Sequence, residues 1–184
     1  VEYYIEKEGH VDCGFTPDGE FPLVFGEKGM VHGLLSGKST KIEDIKAGTV
    51  ANAVAAKCNV VLKDNCINTE KLAEFFNKHN IKYQYQNNTL TVFGIAAHAS
   101  TPQLGVNAIS YAMEALYYSG INDEMVDTYH KLVGLTYNGE NASIDFKDKY
   151  GDLTFNIGLA FKENDKLCFT IDIRFPVTMK HETI

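Results

Sequence analysis

Two stripes of apolar side chains at helical spacing, with a pair of β-rich runs between them, constrain this chain more than any other feature. Leu72, Phe75, Phe76 and His79 recur on one helix face. Asn68 stands ahead of them as a good N-cap, with Glu70 in the first turn. Leu104, Ala108, Ile109, Ala112, Met113 and Leu116 form the second stripe. Thr101 is placed to cap it, Pro102 suits a first helical position, and Gly120 ends it. Between the stripes, Ile81–Gln86 and Thr89–Ile95 are β-rich and separated by Asn87-Asn88. Asn tolerates positive φ, so this pair predicts a tight hairpin.

Upstream, Phe21–Phe25 and Met30–Leu35 read as strands punctuated by Gly26 and Gly29, and Thr49–Leu62 as a longer Val- and Ala-rich strand. Strands, helix, hairpin, helix is the order of an α+β fold, a ferredoxin-like antiparallel sheet with both helices on one face. The expected unit covers residues 20–121, with helices over Asn68–Asn80 and Pro102–Ser119. Phe75, Phe76, Leu104, Ile109, Met113 and Leu116 should be buried in it. Residues 122–184 read as a second, incomplete subdomain: a weaker helix Asp123–Leu132, a polar loop Tyr137–Lys149, and a hairpin of Leu153–Phe161 with Leu167–Phe175. A hairpin does not stand alone, so this one either joins the first sheet or belongs to a second unit. At the start, Val1–Glu8 looks like a helix tail closed by Gly9, and His10–Glu20 like a loop.

Composition narrows the function classes. The chain has 184 residues, 45% hydrophobic and 22% charged, which is ordinary for a globular protein. Its net charge of -7 with no basic block argues against nucleic acid, where phosphate neutralisation supplies most of the affinity. No apolar run approaches the ~20 residues that cross a bilayer. Cys13, Cys58, Cys66 and Cys168 form no C-x-x-C pair and read as thiols of a reducing compartment. A start at Val1 with no signal-like segment reads as a cut from a longer chain.

Gly37-Lys38-Ser39 imitates the end of a phosphate-binding loop, but His32 occupies the position of the required earlier glycine. Neither a G-x-S-x-G elbow nor an H-E-x-x-H helix occurs. Three other stretches carry more. In GFTPDGEFPLVFGEKG (Gly14 to Gly29), Asp18 is either a metal ligand in a loop before a strand or the turn residue of Pro-Asp-Gly. In VFGIAAHASTP (Val92 to Pro102), His98 lies among small residues just before the expected helix. It is either an accessible imidazole beside an anion-favouring helix start or a histidine packed in a polar connection. In IDIRFPVT (Ile171 to Thr178), Asp172 and Arg174 share a strand face. They either pair with each other or leave Arg174 as a fork for a substrate carboxylate.

Together these stretches resemble the bacterial di-zinc dipeptidases, the Xaa-His (carnosine-cleaving) enzymes of the aminoacylase and carboxypeptidase G clan. The first stretch resembles the family's passage from catalytic domain into its inserted lid. HASTPQLGVNAI resembles the lid histidine and lid helix, and GDLTFNIG with IDIRFPVT the later lid strands. GTVANAV, Gly48 to Val54, matches the family's G-x-x-x-N-x-V, although Ala55 stands where the family usually has proline.

The resemblance implies that residues 1–19 are the tail of a catalytic domain and its linker, and that the rest is lid. It implies Asp18 as a zinc ligand and His98 as the donor that stabilises the oxyanion of the tetrahedral intermediate. It implies Asn52 and Arg174 as the residues holding the substrate carbonyl and carboxylate. It also implies a cytoplasmic parent with two zinc ions, a dipeptide substrate, packing against the catalytic domain of the same chain, and a homodimer through the lid. The family's H-x-D-x-V-P and D-E-E stretches are absent, so the chain alone should be inactive and should not retain zinc. The rival readings are a non-catalytic dimerisation module and the lid of a clan relative acting on N-acyl amino acids.

Overall fold

The structure, a computed structural model, describes residues 2–10, 12, 26–64, 66–180 and 182. Its elements are α1 (Glu2–Glu8), β1 (Gly29–Lys38), β2 (Ile42–Ala47), β3 (Lys57–Leu62), α2 (Thr69–His79), β4 (Tyr83–Gln86), β5 (Thr89–Phe93), α3 (Ala108–Tyr118), α4 (Glu124–Leu132), β6 (Lys147–Asp148), β7 (Gly151–Asp152), β8 (Thr154–Glu163) and β9 (Lys166–Phe175). Asp18 and the Phe21–Phe25 strand lie outside the described residues.

Seven strands form one sheet in the order β1-β9-β8-β2-β3-β5-β4, and its paired neighbours are antiparallel. The α+β class with helices on one face is as expected, but the connectivity differs. Within β2-β3-β5-β4, α2 joins β3 to β4 and α3 follows β5, which is the ferredoxin-like order in space. Its outer strand β2, however, enters before β3 instead of after the second helix. The chain leaving α3 passes through α4 to the β8–β9 hairpin. That hairpin joins the same sheet, with β8 against β2 and β9 against β1.

Local chemistry explains most boundaries. The Asn68 side chain accepts from the Glu70 and Lys71 amides and starts α2, and Asn80 ends it at φ 54°. Both tight hairpins turn on two residues of positive φ, Asn87-Asn88 and Asn164-Asp165. That is the conformation whose twist suits antiparallel strands. The core lies between helices and sheet. Leu72 and Phe76 from α2, Ile109, Met113 and Leu116 from α3, and Val126 and Tyr129 from α4 cover Val60, Leu90, Val92 and Phe169. The buried Tyr129 meets the Ser110 hydroxyl at 2.9 Å and sets its ring edge against Phe169.

Three expectations need correction. The second helix begins at Ala108, capped by Asn107, and not at Pro102. Thr101 and Pro102 open only a short 3₁₀ turn with no side-chain cap, because Gly105 is extended and Val106 pairs with Ile95. Leu104 therefore sits outside the helix stripe and is 72% exposed. Residues 49–56 form bends, a turn and one isolated bridge at Ala53, the strand starts at Lys57, and Ile42–Ala47 is a strand the sequence reading passed over. Gly48 breaks the run, at φ 76° and with its α-carbon so near the Gly158 carbonyl that a β-carbon would collide. Met113→Ala should cost about 2–5 kcal/mol in urea unfolding, and Leu104→Ala less than about 0.5 kcal/mol. Equal losses would contradict this placement of the helix start.

The Gly37-Lys38-Ser39 turn has an internal partner. The Asp123 carboxylate accepts from the Thr40 and Lys41 amides at 2.7 and 3.1 Å and from the Ser39 hydroxyl at 2.9 Å. Its other oxygen caps α4 through the Met125 and Val126 amides.

Candidate functional site

Two short segments of small residues meet in an antiparallel bridge between Ala53 and His98. The Val54 amide donates to the Ala97 carbonyl at 2.8 Å, and the Ala99 amide to the Asn52 carbonyl at 3.0 Å. Ala53, Ala97 and Ala99 allow this close approach. Beside it, Gly94 donates to the Ala56 carbonyl, and a β-carbon at Gly94 would strike the Val106 carbonyl. The pairing puts the exposed side chains of Asn52 and His98 on neighbouring backbones, although 46 residues of sequence separate them.

The His98 ring has a defined protonation pattern. Nδ1 lies 3.2 Å from the Ser100 amide and 2.7 Å from the Ser100 hydroxyl. An amide N–H can only donate, so Nδ1 is the acceptor and the neutral ring carries its proton on Nε2. His98 therefore presents an N–H donor outward. The helix that follows His98 starts only at Ala108, where the first amide donates to the Ala55 carbonyl. That helix start is closed by the Asn107 carboxamide, which accepts from the Ile109 amide at 3.0 Å.

Arg174 lies on β9 and makes the same-strand pair that the sequence left open. Its Nε and Nη2 donate to the Asp172 carboxylate at 2.6 and 3.1 Å. Asp172 is fully buried, and His32 Nε2 meets its second oxygen at 3.0 Å. This fork uses Nε and Nη2, and Nη1 is not part of it.

Register connects the two regions. Asn156 and Thr154 on β8 stand directly opposite Asp172 and Arg174. β2 ends at Ala47, opposite Ala160, so the first half of β8 runs beyond the β2 ladder, alongside residues 48–53. Side-chain amides make the links there: Asn156 donates to the Ala53 carbonyl at 3.0 Å, and Asn107 donates to the Ile157 carbonyl at 2.8 Å. Arg174, Asp172, Asn156, Ala53 and His98 thus follow one another through the site. A cleft beside this row is lined by Ser100, Thr101, Tyr137, Lys28 and Thr154.

Sequence reasoning missed Asn156, Thr154 and the partnership of His32. The available signal was the alternation in Thr154-Phe155-Asn156-Ile157, two polar residues on one face of an otherwise apolar strand. Among the described residues, no group of three or more His, Cys, Asp or Glu is arranged to hold a metal ion. No helix among them is long and apolar enough to cross a membrane.

The model of the peptidase dimerisation domain matches residues 85–184. A Staphylococcus haemolyticus protein named "Putative dipeptidase" is 27% identical over 99% of this chain and 43% of its own length. Proteins of the same description from Staphylococcus aureus (strain USA300) and Staphylococcus epidermidis are 29% identical with the same coverage. The chain thus spans less than half the length of these relatives.

Proposed function

We propose, from the premise that this chain belongs to the family of peptidase dimerisation domains, that it is the lid of a zinc-dependent dipeptidase. The observation that carries the reading is the bridge of Ala53 with His98. It joins the two backbone segments that carry the exposed Asn52 carboxamide and the exposed His98 imidazole. In this reading His98 Nε2–H donates to the oxyanion that develops as the peptide carbonyl becomes tetrahedral. Asn52 holds the carbonyl in place, and Arg174 receives the substrate carboxylate with the donors that Asp172 does not use.

The two zinc ions would polarise the carbonyl and activate water. The described residues do not supply a ligand set for them. Asp18 is proposed as one zinc ligand, with the remainder in the catalytic part of the protein. The free thiols Cys58, Cys66 and Cys168 support a cytoplasmic parent. A homodimer through the lid is part of the same proposal. A lid of a relative acting on N-acyl amino acids would share this geometry, so substrate choice separates the two. The full-length protein should turn over dipeptides with a higher kcat/KM than N-acetyl amino acids; the reverse order would favour the relative.

This chain by itself should not take up zinc tightly, because a catalytic zinc usually needs three protein ligands. Isothermal titration calorimetry should show no stoichiometric binding tighter than about 1 μM. Tighter binding would place a metal site within the chain.

A further inference from the structure

We propose that Thr154 is a second donor for the substrate carboxylate, acting beside Arg174; this rests on the lid reading above. Three observations converge on it. Thr154 is only 7% exposed, and its Oγ1 is a buried side-chain polar atom with no hydrogen-bond partner. A buried hydroxyl that makes no bond is a cost to the fold, and native structures keep few of them without a use. Thr154 also stands directly opposite Arg174 in the β8–β9 pair. Opposed residues share a sheet face with β-carbons about 4.5–5.5 Å apart, within reach of one carboxylate. Finally, Thr154 lines the cleft that also receives Ser100 and Thr101, the residues just beyond His98.

The chemistry fits an anionic end group. Asp172 holds the Arg174 fork by Nε and Nη2, which fixes the plane of the guanidinium. A carboxylate engaging Nη1 needs a donor for its second oxygen, and the Thr154 O–H is a donor without an acceptor. An amide or ester end group would lose the charged contact with Arg174 and gain little from the hydroxyl. Thr154 therefore acts as a specificity residue for a free C-terminus.

The test uses the full-length protein with a dipeptide and the matching dipeptide amide. Thr154→Val removes only the hydroxyl. It should raise KM for the dipeptide about 5- to 20-fold, leave kcat within about twofold, and change KM for the amide little. Thr154→Ser should stay near wild type. Because Val removes an unsatisfied buried group, the melting temperature should hold or rise, so a KM defect will not come from unfolding. An unchanged KM in Thr154→Val, or an equal rise for both substrates, would overturn the proposal. Arg174→Lys on the same substrates checks the reading beneath it. If Arg174→Lys does not discriminate acid from amide, the carboxylate site itself falls and Thr154's role with it. If it does while Thr154→Val does not, only the role of Thr154 falls.

Discussion

His98→Ala in the full-length protein is expected to lower kcat about 100- to 1,000-fold, with KM within a few-fold and zinc content unchanged. The size is that of losing one donor aimed at a developing oxyanion. The selectivity for kcat follows because the donor acts most strongly on charge that exists only in the transition state. The structure gives His98 what such a donor needs: an exposed ring, a proton on Nε2, and an orientation fixed by Ser100 at Nδ1. Ser100→Ala should have a smaller effect of the same kind, since it removes the hydroxyl contact and keeps the amide. Steady-state kinetics with metal analysis by mass spectrometry checks both. Loss of zinc in His98→Ala would make this histidine a ligand and refute the role.

Asp123→Ala should be the most damaging polar substitution for folding, costing roughly 2–4 kcal/mol at neutral pH. One part is the lost α4 cap, typically ~1 kcal/mol. The other is the set of part-buried donors left without their acceptor at the β1–β2 turn, ~1–3 kcal/mol. The loss should depend on pH. Burial by itself would raise the Asp123 carboxyl, but hydrogen bonds from Ser39, Thr40, Lys41 and Val126 outweigh it and hold it below the ordinary value. A carboxyl with a depressed folded-state pKa stabilises fully above its unfolded value near 4 and loses that contribution as pH falls through the folded value. Wild type and Asp123→Ala should therefore differ most at pH 5–7 and converge below about pH 4. Urea unfolding across that range checks it, and a gap that is constant with pH would show that the ionised carboxylate is not what holds the turn.

Helices α2 and α4 and both Asn-based hairpins were legible because their causes are local. A carboxamide or carboxylate at the cap, a 3.6-residue apolar stripe, and two residues that accept positive φ act within a few positions of one another. The start of α3 was not, because Thr101-Pro102 is locally as good a start as Asn107. What decides against it is Ile95, which lies ten residues before the extended Gly105 and pairs with Val106.

The candidate site divides the same way. Its residue types stood out in the sequence: a histidine among small residues, an Asp and Arg two apart on an apolar strand, an Asn in a Gly- and Ala-rich turn. Their arrangement depended on one bulge. Counted from the turn at Glu163–Lys166, an unbroken β8–β9 ladder would set Phe155 opposite Arg174 and Ile157 opposite Asp172. The register shifts between Ile157 and Ala160, so Thr154 and Asn156 stand there instead. A one-residue slip exchanges the two faces of a strand, and nothing within either strand's own pattern fixes where the slip falls. It is set by contacts distant in sequence, with Gly158 passing close under the Ala51 carbonyl and the Leu159 amide bonded to Thr170. Chemistry-bearing residues are chosen one at a time along the chain, but which of them share a face is decided by packing between segments a hundred residues apart.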